Sequence, residues 1–250
     1  MQFNKVIRFV IAFFFLAGCE GDSASEGAMT GQGGSMTRFA INGNFLYVVD
    51  HSSINVFDIA GGSFFKRNSV EIGPGMETIF TSGAYLYLGA LDGMYIYSIS
   101  DPQHPSFVFR YSHVVSCDPV VVQGNRAYVT LRTGTACNLG TNALEIIDIS
   151  DRESPRLVTN YSLASPYGLA VKNNLLFICE GENGFKVFDI SDEKVPNQVH
   201  YMDDFHAYDV IERDGRVMIT GEDGVFQYVY SPDGTQLTLL SKIPVNRTDQ

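Results

Sequence analysis

Short apolar runs alternate with turn residues along nearly the whole chain after residue 35. In each unit of this pattern, two apolar runs flank a pair of residues that favours a tight turn. Gly, Asn and Asp adopt the positive φ angles that two-residue hairpins need, so each pair predicts a β-hairpin. The five predicted turns are Gly43-Asn44, Gly83-Ala84, Gly124-Asn125, Asn173-Asn174 and Asp214-Gly215.

A third and a fourth apolar run follow each hairpin, so the unit contains four predicted strands. The third run and the turn after it are clearest in residues 142–155, NALEIIDISDRESP, and shorter copies occur at residues 54–60, 94–105, 184–196 and 225–234. Successive hairpin turns lie 40, 41, 49 and 41 residues apart. Four short antiparallel strands repeated five times predict an all-β, five-bladed β-propeller with four-stranded antiparallel blades.

The predicted propeller domain covers residues 36–250, with about 41 residues in each repeat. Each repeat begins with its first strand and ends with its fourth, so no strand from one end of the domain completes a blade at the other end. We therefore expect blades 1 and 5 to meet through packing of their faces. The predicted repeats are residues 36–75, 76–116, 117–165, 166–206 and 207–246.

The third repeat carries a recognisable motif. GNRAYV at residues 124–129, LEIIDISD at residues 144–151 and the proline turn at Pro155 resemble the LVIVD repeat, a bacterial β-propeller family found in secreted and surface proteins. The resemblance covers residues 36–246, and repeats 3 and 4 match best. It implies a propeller fold in an exported protein, in agreement with the spacing of the turns.

The aspartate of this motif recurs as Asp58, Asp148 and Asp189, whereas repeat 2 has Ser98 and repeat 5 has Val229 at that position. Each aspartate lies late in a strand, directly before a turn. A carboxylate in this place accepts backbone N–H groups of the following turn. We therefore interpret the three aspartates as structural residues and not as a catalytic set.

The first 18 residues predict a secretory signal peptide. Lys5 and Arg8 precede an apolar run at residues 9–16, which is too short to span a bilayer. The following Leu-Ala-Gly-Cys resembles the lipobox of bacterial lipoproteins, which implies that Cys19 is acylated, for example with palmitate, and becomes the mature N-terminus. Residues 19–35 are rich in Gly, Ser and acidic residues and predict a flexible tether. This resemblance implies an outer-membrane lipoprotein, and the acidic residues directly after Cys19 resemble a surface-export signal.

The acidic composition limits the partners of the protein. The net charge of −11 becomes about −13 when Lys5 and Arg8 leave with the signal peptide. Nucleic-acid binding needs a basic surface, so we exclude it. We expect a protein or glycan partner at the cell envelope, and membrane contact only through the lipid anchor. We expect no cofactor and no metal, since the five His residues fall at different repeat positions and the acidic loops lack calcium-ligand spacing.

Two faces of the predicted propeller differ. The tight hairpins and the proline turns fall together on what we call the hairpin face. The other connections form the variable-loop face, where the loop at residues 132–141 is about eight residues longer than its counterparts. Loops on a rigid scaffold are common binding sites. The candidate binding residues enter the inner strands or begin loops on that face: Arg38, Glu77, Asp118, Arg132, Tyr167, His206, Tyr208 and Asp209.

Cysteine positions add one predicted covalent link on the same face. Cys117 precedes the inner strand of blade 3, and Cys137 lies in the long loop of that blade. A disulfide between them suits an exported protein and would contribute about 3 kcal/mol by closing a loop of roughly 20 residues. Cys179 occupies a strand position where a small buried residue is expected, so we predict a free thiol in the core.

Three functional hypotheses remain open from the sequence. The leading one is a surface lipoprotein without catalytic activity, which binds a protein or glycan through the variable-loop face. The second is a carbohydrate-active or lactone hydrolase that uses Glu77, Asp118 and Asp209 at the channel mouth as acids or bases. The third is a structural subunit of an envelope assembly, which a large apolar patch on the propeller rim would favour.

Overall fold

Five four-stranded antiparallel sheets form the described part of the chain, which is residues 33–112, 119–133 and 141–245 of a computed structural model. Blade 1 contains β1 (Phe39–Asn42), β2 (Phe45–Val49), β3 (Ser53–Asp58) and β4 (Phe65–Glu71). Blade 2 contains β5 (Met76–Ser82), β6 (Tyr85–Ala90), β7 (Gly93–Ser98) and β8 (Ser106–Ser112). Blade 3 contains β9 (Val120–Gln123), β10 (Arg126–Leu131), β11 (Ala143–Asp148) and β12 (Arg156–Ser162).

The last two blades have the same order of strands. Blade 4 contains β13 (Leu169–Lys172), β14 (Leu175–Cys179), β15 (Phe185–Asp189) and β16 (Asn197–Met202). Blade 5 contains β17 (Ala207–Arg213), β18 (Arg216–Gly221), β19 (Gly224–Tyr230) and β20 (Leu237–Pro244). One three-residue 3₁₀ turn, Ala60–Gly62, lies between β3 and β4. The predicted five-bladed β-propeller is confirmed.

Each hairpin turn lies between the first two strands of a blade, where the sequence predicted it. In blade 4 the turn residue Asn173 has φ of 52°, and in blade 5 Asp214 has φ of 53°. Gly occupies the equivalent turns of the first three blades with φ between 57° and 60°. These left-handed conformations explain why Gly, Asn and Asp mark the repeat.

The repeated aspartates hold turns, as predicted. Asp58, Asp148 and Asp189 each accept the backbone N–H two residues later, at 2.8 to 2.9 Å. In blade 2 the hydroxyl of Ser98 accepts the equivalent N–H at 3.3 Å. Hydrogen bonds from Ser150 are the main reason why the pKa of the Asp148 carboxyl lies below its ordinary value.

Four hydrophobic clusters join neighbouring blades, and each includes side chains from two facing sheets. In blades 1 to 4, the second strand supplies one large ring to the junction with the next blade. These rings are Tyr47, Tyr87, Tyr128 and Phe177, and all are buried. The inner strands lie side by side in the same order, β1 with β5, β5 with β9, β9 with β13 and β13 with β17.

The junction of blades 5 and 1, which we call the seam, is built differently. Met218 occupies the position of the large ring, and Gln227 pairs with it where Val187 pairs with Phe177 in blade 4. Both seam residues are half-buried, and none of the four clusters among the described residues crosses the seam. Among the described residues, blades 1 and 5 therefore meet without a hydrophobic cluster like those at the other junctions, because Met218 and Gln227 stand where the other blades have a large buried ring and a buried aliphatic residue.

In the described ranges, no helix has the length and the apolar character needed to cross a membrane.

Candidate functional site at the channel mouth

A cavity of about 180 Å³ lies at the variable-loop end of the central channel. Residues that enter the first strands of blades 1 to 4 surround it, together with the start of the long loop in blade 3. The structure thus brings together four of the eight predicted binding residues, Arg38, Glu77, Arg132 and Tyr167. Met36, Pro119 and Pro166 supply apolar parts of the wall.

Tyr167 is held firmly in this wall. Its backbone N–H donates to the carbonyl of Cys179 at 2.7 Å, and its carbonyl accepts the hydroxyl of Thr130 at 2.7 Å. The backbone of Gly181 approaches the ring so closely that a Cβ atom there would lie 2.6 Å from the ring. The ring of Tyr208 lies 5.5 Å away between centroids. Tyr167 is therefore a fixed platform and Tyr208 braces it.

Arg132 stacks on this platform. The central carbon of its guanidinium group lies 3.9 Å from the centroid of the Tyr167 ring. Guanidinium groups stack well on aromatic faces. In a stacked arrangement their N–H groups lie in a plane parallel to the ring and do not point at it. The arrangement fixes a positive charge at the cavity wall.

Arg38 and Glu77 contribute two further charges of opposite sign. Arg38 is exposed, Glu77 is half-buried, and both line the cavity. Within the described ranges neither side chain forms a hydrogen bond or an ion pair, so they are not paired with each other either. The backbone carbonyl of Arg38 accepts the N–H of Val49 at 2.8 Å, which positions the residue where β1 begins.

A short segment closes the channel beneath the mouth. We call residues 33–37 the strap. Ser35 is 2% exposed, and its hydroxyl oxygen accepts the backbone N–H of Leu169 at 2.8 Å. The same hydroxyl donates to a carboxylate oxygen of Asp209 at 3.3 Å. The carbonyl of Thr37 accepts the N–H of Ile79 at 3.0 Å, so the strap connects blades 2, 4 and 5.

Asp209, a predicted binding residue, is part of this closure. Besides Ser35, its carboxyl accepts the backbone N–H of Val210 at 2.9 Å. Cβ atoms at Gly34 or Gly168 would both lie 2.1 Å from its oxygens, so the strap and blade 4 press against it. Burial raises the pKa of Asp209 to about 6, and the hydrogen bonds only partly oppose this shift. Asp209 lies under the strap and does not face the cavity.

The remaining predicted residues fall into two groups. His206 is half-buried beside the inner strand of blade 5 and forms an ion pair with Glu222 through its Nδ1. Cys19, Cys117, Asp118 and Cys137 lie outside the described residues, so the predicted lipidation and the predicted disulfide remain predictions. Cys179 is fully buried and free, as expected, and burial raises the pKa of its thiol well above the usual value.

Two features of this face were not predicted from the sequence. Composition assigned Gly34 and Ser35 to the tether, but the structure places both in the channel. The acidic loop at residues 180–184 contains a carboxylate inside the protein, since Glu180 is fully buried. Its carboxylate pairs with Lys186 and accepts the N–H of Ala164 at 2.9 Å. The nearby Lys186 was the available signal for this buried pair.

The described residues include no group of three or more His, Cys, Asp or Glu side chains that could hold a metal ion. Among the described residues, the mouth presents two guanidinium groups, one carboxylate and a fixed aromatic ring. These groups can orient a polar ligand by hydrogen bonds and charge.

Sheet order, repeat length and the closed channel define a repeat-built β-propeller with a shallow cavity at one mouth. The chain belongs to the LVIVD repeat family, whose model matches residues 33–63, 77–113, 116–162 and 167–204. The matched segments fall in blades 1 to 4, and the unmatched blade 5 has Val229 at the position of the motif aspartate. No curated protein matches the chain significantly.

Several solved structures have a similar fold. A candidate 6-phosphogluconolactonase from Bacteroides fragilis aligns with a TM-score of 0.65 at 14% identity, covering 84% of this chain and 70% of that one. A protein of unknown function from Desulfotomaculum acetoxidans has a TM-score of 0.69 at 9% identity, with coverage of 84% and 70%. A Lactobacillus plantarum protein has a TM-score of 0.65 at 14% identity, with coverage of 80% and 69%. At such identities the likeness shows the fold alone.

Proposed function

We propose that the protein is a cell-envelope lipoprotein that binds a protein or glycan through the variable-loop face and does not catalyse a reaction. Acylated Cys19 anchors it in the outer membrane, and the propeller presents the mouth cavity to its partner. The observation that carries the binding role is the pair of charged side chains, Arg38 and Glu77, which share a concave mouth without using each other as partners. Charged groups held apart in a cavity are available to a ligand.

Two features favour binding over hydrolysis. Of the three acids that the hydrolase hypothesis used, Asp209 is occupied by Ser35 and by backbone N–H groups beneath the mouth. The tyrosine pair Tyr167 and Tyr208 also stands at the mouth. Glycoside hydrolysis needs two carboxyl groups that face one substrate bond across about 5 to 9.5 Å. Among the described acids, only Glu77 lines the cavity.

A matched pair of double variants tests the binding face. Arg38→Ala with Glu77→Gln removes both charges from the mouth, and Arg216→Ala with Asp214→Asn makes the same changes at exposed positions near the hairpin turn of blade 5. Each lipidated protein is used to recover partners from an envelope extract, followed by quantitative mass spectrometry. We expect loss of partner recovery only for the mouth variant. Equal recovery by both variants would contradict the proposed face.

The anchor has its own test. Cys19→Ser is expected to abolish incorporation of a palmitate analogue and to move the protein from the membrane fraction to the soluble fraction. Protection of the protein from protease added to intact cells would argue against surface exposure. If the proposed Cys117–Cys137 disulfide forms, alkylation without prior reduction should leave both cysteines unmodified.

A structural role in an envelope assembly is the second candidate, and one observation favours it. Large apolar side chains are exposed along the outer strand of blade 5 and at the start of the outer strand of blade 1. They are Leu239, Leu240, Ile243, Val245, Phe64 and Phe65. Exposed apolar clusters commonly mark protein contacts. Replacement of Leu240 and Ile243 with Ser would release the protein from a larger complex in native gels if this candidate is correct.

A further inference from the structure

We propose that the seam is an open slot that takes up a blade, meaning a four-stranded antiparallel β-sheet, from a partner protein. The front of a blade is its face towards the next blade, and the back is its face towards the previous blade. The partner sheet would cover the front of blade 5 and the back of blade 1. This inference rests on the envelope-assembly candidate and specifies its partner, and it is independent of binding at the variable-loop face.

The back of blade 1 carries apolar side chains that are uncovered among the described residues. Phe39 lies four positions before the hairpin turn of its blade and is 48% exposed. Leu46 and Val48 of β2 are half-buried, whereas their equivalents in blades 2 to 5 are all buried. The equivalents of Phe39 belong to the clusters that join their blades to the previous ones, and they are at most 1% exposed: Ile79, Val120, Leu169 and Val210.

The front of blade 5 is uncovered in the same way. Leu240 and Ile243 of β20 are exposed, whereas the corresponding Val158 and Tyr161 of blade 3 pack on the cluster shared with blade 4. Val225 of β19 is 37% exposed. Its equivalents in the other blades are at most 1% exposed, and they are Ile54, Met94, Leu144 and Phe185.

These two walls do not close on each other. At the other junctions the inner strands lie side by side, from β1 with β5 to β13 with β17. Within the described ranges, β17 and β1 do not lie side by side in this way. The solved structures from Bacteroides fragilis and Desulfotomaculum acetoxidans align with 84% of this chain but with only 70% of their own length. Five blades in this arrangement therefore fit within a longer chain.

The other segments of the chain are unsuited to fill the slot, as their sequences show. Residues 20–32 contain one large apolar side chain, Met29, and residues 246–250 contain none. The segments 113–118 and 134–140 connect strands of blades 2 and 3. The apolar run of the predicted signal peptide leaves the mature protein. Because a junction between blades needs many apolar contacts, we assign the cover to a partner.

A second copy of the chain does not fit the slot. Its blade 1 could pack on the front of blade 5, since the two walls correspond to those of a closed junction. Its other four blades would then continue around the same axis and give ten blades, whereas propellers typically have roughly four to eight. The slot therefore suits a separate sheet and not another five-bladed ring.

Hydrogen bonds at the closed junctions indicate which kind of sheet fits. In three of them, a polar side chain of the fourth strand donates to a carbonyl in the turn after the third strand of the next blade. These pairs are Asn68 with Gln103, Thr159 with Lys194 and His200 with Thr235, at 2.9 to 3.1 Å. The equivalent Ser241 of blade 5 donates to Gln227 of its own blade at 3.3 Å.

Blade 1 does not offer the turn that these pairs use. The turn after its third strand is the 3₁₀ turn Ala60–Gly62, which contains no proline, whereas the turns after β7, β11 and β15 each contain one. The front of blade 5 therefore matches a blade with the proline turn of the family repeat. We expect the partner sheet to have this turn and to be apolar on both faces.

Photo-crosslinking of the full lipidated chain in its native host tests the slot. p-Benzoylphenylalanine replaces Phe39 on the back of blade 1 or Ile243 on the front of blade 5. Leu157, on the outer strand of blade 3, is 48% exposed like Phe39 and serves as the matched control position. We expect the same protein at both walls, with a yield at least about tenfold above that at Leu157. Its crosslinked peptides should lie in a four-stranded sheet with the proline turn.

A variant on one wall then tests whether a single sheet touches both. Leu240→Asp places a charge in the proposed contact and should lower the crosslink yield from Phe39, on the opposite wall, about tenfold or more. Leu157→Asp is the matched control and should leave that yield unchanged. Both substituted residues are exposed, so both variants should keep the far-UV circular dichroism of the wild type.

Several results would overturn the proposal. Crosslinks from Phe39 to blade 5 of the same chain would show a closed ring, and crosslinks between two copies would show self-association. Yields equal to that at Leu157, different proteins at the two walls, or an unchanged yield in Leu240→Asp would also contradict the slot. Failure at the seam, together with lost partner recovery by the mouth variant, would refute only this inference. The reverse pair of results would refute only the variable-loop site.

Discussion

The junction of blades 4 and 5 and the seam of blades 5 and 1 solve the same packing problem in different ways. At the first, Phe177 lies 4.9 Å from Tyr230 and 6.4 Å from Phe185 between ring centroids, inside a cluster from which water is excluded. At the seam, the equivalent position holds Met218 beside Gln227, and both are half-buried. One junction is closed by apolar burial, and the other has no such core within the part of the chain that the structure describes.

The difference shows what the strap contributes. Because the strap connects Asp209 and Leu169 to Ile79, it links blade 5 and blade 4 to blade 2 across the channel. The buried Ser35 thus joins the start of blade 1 to blades 4 and 5 by hydrogen bonds. Met36 of the same segment lines the mouth cavity, so the strap contributes both to ring closure and to the proposed binding site.

The largest expected effect is at the closed junction. Phe177→Ala leaves a cavity in the core of this junction, where Phe177 and Phe185 are fully buried, and such truncations cost about 3–5 kcal/mol of unfolding free energy. Met218→Ala, the matched change at the seam, should cost about 1 kcal/mol or less, since a half-buried side chain leaves no closed cavity. Urea unfolding of both variants measures the difference. Equal losses would show that the seam is packed like the other junctions.

The second prediction concerns pH. The pKa of Asp209 is raised to about 6 in the fold, above the value of about 3.9 in an unfolded chain, because burial disfavours its charged form. The contribution of Asp209 to the free energy of unfolding is therefore largest below about pH 4. This contribution is lost as the pH rises from about 4 to 6, and the free energy of unfolding falls by an amount on the order of 2–3 kcal/mol. Asp209→Asn should remove this step from a stability profile measured from pH 4 to 7.5. Asp214→Asn is the exposed control, and its profile should match the wild type.

Removal of the strap hydroxyl should have a smaller effect. Ser35→Ala leaves the N–H of Leu169 without its acceptor in a buried position, which costs about 1–2 kcal/mol. Amide hydrogen exchange at residues 33–37 should become faster in this variant, while exchange in the blade 4 and 5 cluster stays slow. Unchanged exchange in the strap would mean that Ser35 does not hold it. Ser69→Ala, at an exposed position, is the control.

The smallest effect is expected for Gln227→Val. The equivalent residues Val56, Ile96, Ile146 and Val187 are all fully buried. At the seam no core covers the new valine, so the unfolding free energy should change by less than about 0.5 kcal/mol. The reverse change, Val187→Gln, would bury an amide at the closed junction and should cost several times more. A clear gain in stability for Gln227→Val would indicate a covered seam.

Most of the fold was predictable because it rests on local rules that repeat. Turn pairs that tolerate positive φ, such as Gly124-Asn125 and Asp214-Gly215, marked every hairpin, and the motif aspartates marked the turns after the third strands. The seam could also have been inferred. Met218 and Gln227 occupy repeat positions that hold an aromatic ring and an aliphatic side chain in the other four repeats. Their effect on packing becomes evident only when blade 5 is placed beside blade 1.

The site was predictable in part. Counting back from the hairpin turns located Arg38, Glu77 and Tyr167 at the mouth, since equivalent positions of a repeat occupy equivalent places. The strap could not be found in this way. Gly34 and Ser35 belong to a Gly- and Ser-rich stretch whose composition is typical of a linker, and only contacts with Asp209 and Leu169, more than 130 positions away, bury them. Composition carries no information about such long-range contacts.

Hydrogen exchange of the wild-type protein with and without its captured partner tests the central claim most directly. If the variable-loop face binds, the partner should slow exchange at residues 76–79 and 166–168, on either side of the mouth cavity. The hairpin turns at residues 43–44 and 124–125 should exchange at the same rate in both states. Slower exchange confined to those hairpin turns would contradict a binding site at the channel mouth.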